Sequence, residues 1–281
     1  MSLERIRRHS EGKARLEKLK GQEQHVLVIH YSCESFYDRK DGRSPRITSI
    51  AVRNYGSAQT RSFSIHQVAE ARGIAPSGIT ASYDDCERQM LDEFFAYVGK
   101  HETSTWVHWN MRDMNYGFEA IAHRRRVLGT AGKKANGTKA KEPPTFNLPE
   151  GNRLDLAKVL GDIHGPGYVA NPKLAALVKK NKLTDRDFLS GADEATAFEA
   201  GEYVKLHQST LRKVEIIATL LDRSIDGSLK TDVSLKTSLG GWWSLALYVI
   251  KEHWVVSFLG FLATIVGLLQ AVFDVFGLGG P

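Results

Sequence analysis

The stretch VLVIHYSCES, residues 26–35, decides how the first half of the chain folds. Its segment Val26–Tyr31 is an almost uninterrupted apolar run, which is typical of a central strand buried on both faces of a sheet. A polar turn over residues 38–45 leads to a second apolar segment, Ile47–Val52, and the segment Arg61–Ile65 alternates polar and apolar side chains. These patterns predict three strands in a meander.

Helices and one further strand are predicted after this meander. Trp106–Trp109 has the pattern of a fourth short strand. Apolar residues that recur at three- and four-residue steps predict helices over residues 86–98, 113–128, 154–160, 172–182 and 193–222. The fold class is therefore mixed α/β, with helices that flank a sheet.

Composition excludes several classes of protein. The chain has 281 residues, 42% of them hydrophobic and 25% charged, which is typical of a globular protein. Its net charge of +6 fits a protein that binds nucleic acid or anionic lipid, but it also fits a basic protein without such a partner. Two cysteines, Cys33 and Cys86, are too few for a disulfide framework or an all-thiolate zinc site. Residues 1–24 are charged and lack an apolar run, so they are no secretory signal; we expect a charged helical arm, either solvated or in contact with phosphates or lipid headgroups.

Residues 254–273, WVVSFLGFLATIVGLLQAVF, predict a transmembrane helix. Twenty residues without a charge form a helix about 30 Å long, which matches the hydrocarbon core of a bilayer. Trp254 stands at its start, and the basic residues all precede it, which predicts a single-pass protein of the inner or plasma membrane with its N-terminal domain in the cytoplasm. Residues 226–253 form a linker, in which GWWSLALYVI (241–250) suits an interfacial helix.

Small residues are spread along the predicted span. Ala263, Gly267 and Ala271 are spaced by four residues and therefore share one helical face, and Gly260 is a further small residue of the span. Such a face allows two helices to approach closely in lipid, so it predicts a homo-oligomer, unless the small residues reflect composition alone.

A basic segment interrupts the α/β pattern. Arg124, Arg125 and Arg126 close the predicted helix 113–128, and Lys133 and Lys134 follow in the segment 130–147, which is rich in Gly, Lys and Pro and predicts a mobile surface loop. These side chains could bind nucleic-acid phosphates or anionic lipid, or they could form a solvated charge run.

The opening strands resemble those of the ribonuclease-H-like superfamily, in particular the 3′–5′ exonucleases of the DEDD class. In that class the first strand ends in Asp-x-Glu, and the matching residues here are Ser32, Cys33 and Glu34. Glu34 fits the pattern, whereas Ser32 stands in place of the aspartate. The resemblance covers about residues 25–225.

Two further motifs support the resemblance. WVHWNMRDMNYGFEAIAHR resembles the second motif and places its carboxylate at Asp113. DFLSGADEATAFEAGEYVKLHQ resembles the last helix in two registers, one ending at Asp193 and one at Glu202; Phe188 or Phe198 then stands where the family has His or Tyr.

The resemblance implies a site for two divalent metals. Glu34, Asp113 and Glu202 would hold Mg²⁺ or Mn²⁺, with Asp193 as an alternative last carboxylate, and the metals would activate a water for attack on a phosphodiester. Each carboxylate also has a simpler interpretation. Glu34 could be a surface residue, Asp113 and Asp193 could cap helices, and Glu202 could be solvated.

Two functional hypotheses follow. The first is a membrane-anchored, metal-dependent 3′–5′ exonuclease that acts on RNA or DNA. The second is a catalytically inactive ribonuclease-H-like sensor or adaptor whose output is at the membrane, as in the layout of bacterial defence effectors. The loss of an aspartate at Ser32 separates the two, because fold alone does not establish activity.

Overall fold

A computed structural model describes residues 2–34, 44–112, 115–131 and 148–234, together with residues 246, 258, 261–268 and 270 near the C-terminus. The first four ranges form a five-stranded mixed sheet with helices on both faces. The predicted fold class, α/β with a mixed sheet flanked by helices, is confirmed at this level.

The sheet has the order β3-β2-β1-β4-β5. Its strands are β1 (Val26–Cys33), β2 (Ile47–Asn54), β3 (Thr60–Ser64), β4 (Thr105–His108) and β5 (Arg153–Asp155). β1, β2 and β3 are antiparallel neighbours, whereas β1, β4 and β5 run parallel. The four predicted strands are confirmed, and β1 is the central strand, with all eight of its residues buried. β5 was not predicted, because three residues are too few to show a strand pattern.

Eight helices are described in residues 2–131 and 148–234. They are α1 (Ser2–Glu17), α2 (Ile65–Ala71), α3 (Tyr83–Val98), α4 (Phe118–Ala131), α5 (Leu156–His164), α6 (Lys173–Lys180), α7 (Gly191–Glu199) and α8 (Tyr203–Ile225). One apolar cluster lies between the sheet and α2, α3 and α4, and the other lies between the sheet and α5, α6 and most of α8. The sheet is therefore enclosed on both faces.

The N-terminal helix α1 packs against the domain rather than forming a solvated arm. Ile6, Leu16 and Leu19 are buried, although the sequence shows only a sparse apolar stripe. A Cβ atom added at Gly12 would lie 2.7 Å from Cγ1 of Ile163, so α1 and α5 are in close contact there. The prediction of a free arm is wrong for this reason.

The predicted long helix 193–222 is two helices. α7 ends at Glu199, and α8 begins at Tyr203. Gly201 lies between them with φ +71°, a left-handed conformation that interrupts a right-handed helix and that glycine adopts at little cost. α7 and α8 then both contribute side chains that contact Ser32 of β1.

None of the helices in the described ranges is long and apolar enough to cross a membrane. Of the predicted span 254–273, residues 258, 261–268 and 270 are helical. Trp254, Gly260 and Ala271 lie outside the described residues, as does the segment 132–147 with Lys133 and Lys134.

Candidate functional site

A buried polar cluster lies at the end of the central strand. Successive β1 side chains point to opposite faces, so Tyr31 and Cys33 join the apolar cluster beneath α3. His30 and Ser32 point to the other face, which α8 covers. This face carries polar groups at the position where the resemblance implies a metal site.

Glu194 is the centre of the cluster. Its side chain is fully buried, and its Oε1 atom accepts hydrogen bonds from Ser32 Oγ at 2.8 Å and from Ser209 Oγ at 3.0 Å. The Lys213 ammonium lies 2.7 Å from the same oxygen, and Lys213 is also buried. One carboxylate oxygen therefore joins β1, α7 and α8 through a buried ion pair and two hydroxyl groups.

Hydroxyl groups extend this cluster across the sheet. Thr210 Oγ1 lies 2.8 Å from Ser32 Oγ and 2.6 Å from Ser49 Oγ on β2. Thr210 Oγ1 also lies 2.9 Å from the Leu206 carbonyl oxygen, so its single proton is shared between that oxygen and Ser32 Oγ, and Ser49 donates to Thr210. These hydroxyl groups connect β1 and β2 with α8.

The positive charge of Lys213 affects the pKa of the neighbouring His30. The pKa of His30 lies well below its usual value, first because of burial and then because of the Lys213 ammonium. Its ring is neutral at pH 7, and Nδ1 lies 3.2 Å from the Tyr116 hydroxyl. Two buried atoms of the cluster, Nε2 of His30 and Oε2 of Glu194, have no hydrogen-bond partner among the described residues.

The cluster is closed to a substrate. Ser32, Glu194 and Ser209 have no exposed surface. A divalent metal usually has several carboxylate, carbonyl or water oxygens as ligands, whereas this site supplies one carboxylate whose charge is already balanced by an ammonium. The arrangement stabilises the contact of two helices with the sheet and gives a phosphodiester no route to the carboxylate.

Three of the four predicted metal-binding carboxylates, Glu34, Asp193 and Glu202, lie within the described residues, and none of them belongs to this cluster. Glu34 is half-buried after β1, and its Oε2 atom accepts from the Arg46 backbone N–H at 3.3 Å. Glu202 is exposed at the start of α8 and forms an ion pair with Lys205 at 2.8 Å. Asp113 lies outside the described residues, five positions before α4 begins.

Asp193 has the helix-capping role that the sequence left open. It forms a capping box with Ser190 at the start of α7, and the hydrogen bonds from Ser190 lower the pKa of its carboxyl group. The inward carboxylate of this helix is the next residue, Glu194. Within the described ranges, no three His, Cys, Asp or Glu side chains are grouped closely enough to hold a metal ion.

Two of the three predicted phosphate-binding arginines are internal. Arg124 is buried and donates from Nε and NH2 to both carboxylate oxygens of Glu87, at 2.6–3.0 Å. Arg125 pairs with Asp92. These pairs give Arg124 and Arg125 a structural role, which corrects their assignment to nucleic-acid binding, while Arg126 is exposed.

The sequence analysis missed Glu194 and Lys213. A helical pattern could have indicated both, since Glu194 precedes the buried Ala197 by three residues and Lys213 precedes the buried Ile217 by four. A charged residue on the apolar face of each of two helices indicates a buried pair, because an unpaired buried charge is strongly unfavourable.

Comparison with known proteins identifies no relative. No family model, no curated protein and no solved structure matches the chain.

Proposed function

We propose that this chain is a catalytically inactive ribonuclease-H-like domain that engages nucleic acid and is anchored in a membrane by the segment 254–273. The observation that carries the proposal is the buried Lys213–Glu194 pair beside Ser32, at the end of the central strand. A covalently attached ammonium takes the position in which an exonuclease would carry a metal ion, so the charge needed to hold the fold together is present without metal.

The order of elements supports the ribonuclease-H-like part. Three antiparallel strands are followed by α2, α3, the parallel strand β4, α4 and a further parallel strand. The sequence resemblance rests on three strands, a helix, a strand and a helix in this order, whereas α2 and β5 were not predicted from the sequence. β1 lies in the middle of the sheet, between β2 and β4, and its first half pairs with β4. The first and second motifs would therefore lie on neighbouring strands.

Charge supports the nucleic-acid part. The chain has a net charge of +6, and the exposed Arg126 lies on α4 just before the lysine-rich segment 130–147. Basic segments bind phosphates through charge alone, and the affinity then falls steeply with salt. The inward arginines Arg124 and Arg125 would fix α4 in place while Arg126 and the segment after it contact the strand.

Exposed apolar side chains support the membrane part. In the described residues of the predicted span the large exposed side chains are Phe258, Phe261, Leu262, Ile265, Val266 and Leu268. A run of exposed apolar side chains on one short helix is typical of a membrane or partner contact. The absence of charge over residues 254–273 favours the membrane.

Nuclease activity tests the catalytic part. End-labelled single-stranded RNA and DNA are incubated with the detergent-solubilised full chain and Mg²⁺ or Mn²⁺. We expect binding but no shortening, and the same result for Glu34→Gln, because the buried carboxylate Glu194 is already paired with Lys213 and is therefore not available to a metal ion. Stepwise shortening that EDTA and Glu34→Gln both abolish would overturn the proposal.

Fractionation tests the membrane part. Placing arginines at Leu262 and Ile265, near the middle of the span, is expected to move most of the protein out of the carbonate-resistant membrane fraction, since each arginine costs roughly 2.5–3.5 kcal/mol on insertion. The control is Leu262→Phe/Ile265→Leu, which keeps the span apolar and should stay in the membrane fraction. Unchanged membrane retention of the arginine variant would rule out insertion of this segment.

A further inference from the structure

A second feature of the molecule is a cavity lined by basic side chains. It has a volume of about 290 Å³ and lies where α1, the end of α5 and the turn after α8 meet. Lys13 of α1, His164 at the end of α5 and Arg223 in the last turn of α8 line it, and Thr231 adds a hydroxyl group. None of the described residues that line the cavity is acidic.

The charged groups that shift the pKa of His164, which lines the cavity, are all basic. The pKa of His164 is lowered to about 4, first by burial and then by the charges of His9, Arg5 and Lys13. The nearby Asp162 does not reverse this effect, because its carboxylate lies 2.9 Å from Lys158 Nζ and 3.9 Å from Arg15 NH1. An anion in the cavity would offset the mutual repulsion of these cations.

Some of the basic side chains near the cavity hold α1 against the end of α5. Arg5 NH2 donates to the carbonyl oxygen of Ile163 at 2.9 Å, and His9 Nδ1 lies 2.7 Å from the same oxygen, at the C-terminal end of α5. Cations are favourable at a helix C-terminus. Arg223 serves the fold as well, since one of its terminal nitrogens donates to the Asn181 carbonyl oxygen at 2.8 Å. Lys13 and Arg223 both line the cavity.

We propose that this cavity binds a phosphate group. Lysine and arginine side chains recognise phosphate through charge-assisted hydrogen bonds, and a cavity of this volume holds a phosphate with a small attached group. The phosphate could be a soluble ion or part of a lipid headgroup. The second source rests on the proposed membrane anchor, since residues 227–233 border the cavity and precede the segment 254–273 by about twenty positions.

Calorimetric titration of the detergent-solubilised full chain with inorganic phosphate, at constant ionic strength, tests the site. Lys13→Glu is expected to weaken binding about tenfold or more, because it reverses a charge at the opening. Lys18→Glu makes the same change on an exposed residue of the N-terminal region outside the cavity and should bind as the unmodified chain does. Both residues are exposed, so folding should be unaffected, which a melting curve checks.

The imidazole of His164 gives a second readout that a purely structural role would not change. A bound phosphate favours the protonated ring, so NMR titration is expected to show a higher pKa for His164 with phosphate than without it. The His164→Gln variant assigns the signal. An unchanged titration curve, no measurable binding, or an equal loss in Lys13→Glu and Lys18→Glu would each overturn the proposal.

Two further ligands distinguish the sources. Short-chain phosphatidic acid carries the headgroup phosphate in soluble form, and short-chain phosphatidylcholine is its control. Tighter binding of phosphatidic acid than of inorganic phosphate, lost in Lys13→Glu, assigns the site to a lipid headgroup. The reverse order, with the same dependence on Lys13, assigns it to a soluble phosphate. None of these outcomes depends on whether the chain cleaves nucleic acid.

Discussion

Replacing Lys213 with methionine is expected to lower the free energy of unfolding by about 3–5 kcal/mol. The substitution preserves most of the volume of the side chain and removes its charge. Glu194 would then be a fully buried carboxylate whose remaining contacts are the hydroxyl groups of Ser32 and Ser209. Guanidinium unfolding of the full chain in detergent, at pH 7, measures the loss.

A double variant separates the charge effect from the packing effect. Glu194→Gln in the Lys213→Met background keeps an acceptor for Ser32 and Ser209 and removes the unbalanced charge. We expect it to recover most of the lost stability, because replacing both partners of a buried ion pair costs far less than removing one. A loss below about 1 kcal/mol in Lys213→Met alone would contradict the buried pair.

Replacing Arg124 with methionine is expected to cost a similar amount, about 3–5 kcal/mol. Arg124 is the counter-ion of Glu87, a fully buried residue whose Oε1 also accepts from the Ile47 backbone N–H at 2.7 Å. The pair thus joins α3, α4 and the start of β2. The matched control is Arg126→Met on the same helix, which should change stability by less than about 0.5 kcal/mol because Arg126 is exposed.

The two arginine variants should also differ in nucleic-acid binding and in pH dependence. Arg126→Met is expected to weaken binding of single-stranded RNA and to reduce its salt dependence, as for the loss of one phosphate contact. Burial raises the pKa of Glu87, and Arg124 opposes this rise.

In the Arg124→Met variant the pKa of Glu87 in the folded state should rise further above its value in the unfolded state. The folded variant is then stabilised by protonation of Glu87 as the pH falls. The difference in free energy of unfolding between the unmodified chain and Arg124→Met should therefore be smaller at pH 5 than at pH 7. Equal stability of the Arg124→Met and Arg126→Met variants would contradict the internal role of Arg124.

The sequence predicted the elements whose side chains show their environment locally. β1 is recognisable because a strand buried on both faces has a continuous apolar run, and α3 because its buried residues follow a helical period. β5 and the packing of α1 could not be predicted in this way. Three residues give no period, and the sparse apolar residues of α1 are buried only because α5 supplies the opposing surface.

The candidate site depended on contacts between distant parts of the chain. The strand end at Glu34 was identified, but the residue that contacts Ser32 is Glu194, 162 positions later. Its neighbour Asp193 was chosen because it resembled a motif, whereas the capping box turns Asp193 outward and Glu194 inward. A shift of one residue on a helix changes the direction of a side chain by about 100°, which motif resemblance without packing does not resolve.

The position of Thr210 and Lys213 so late in the chain has a consequence for biosynthesis. Thr210 bonds to Ser32, 178 residues earlier. At about 5–20 residues per second, a ribosome needs roughly 10–40 s to make the intervening chain. During this time the central strand lacks the helix that covers one face, and Glu194 lacks its counter-ion Lys213. The nascent chain is therefore an expected client of chaperones and a target of proteases until α8 emerges.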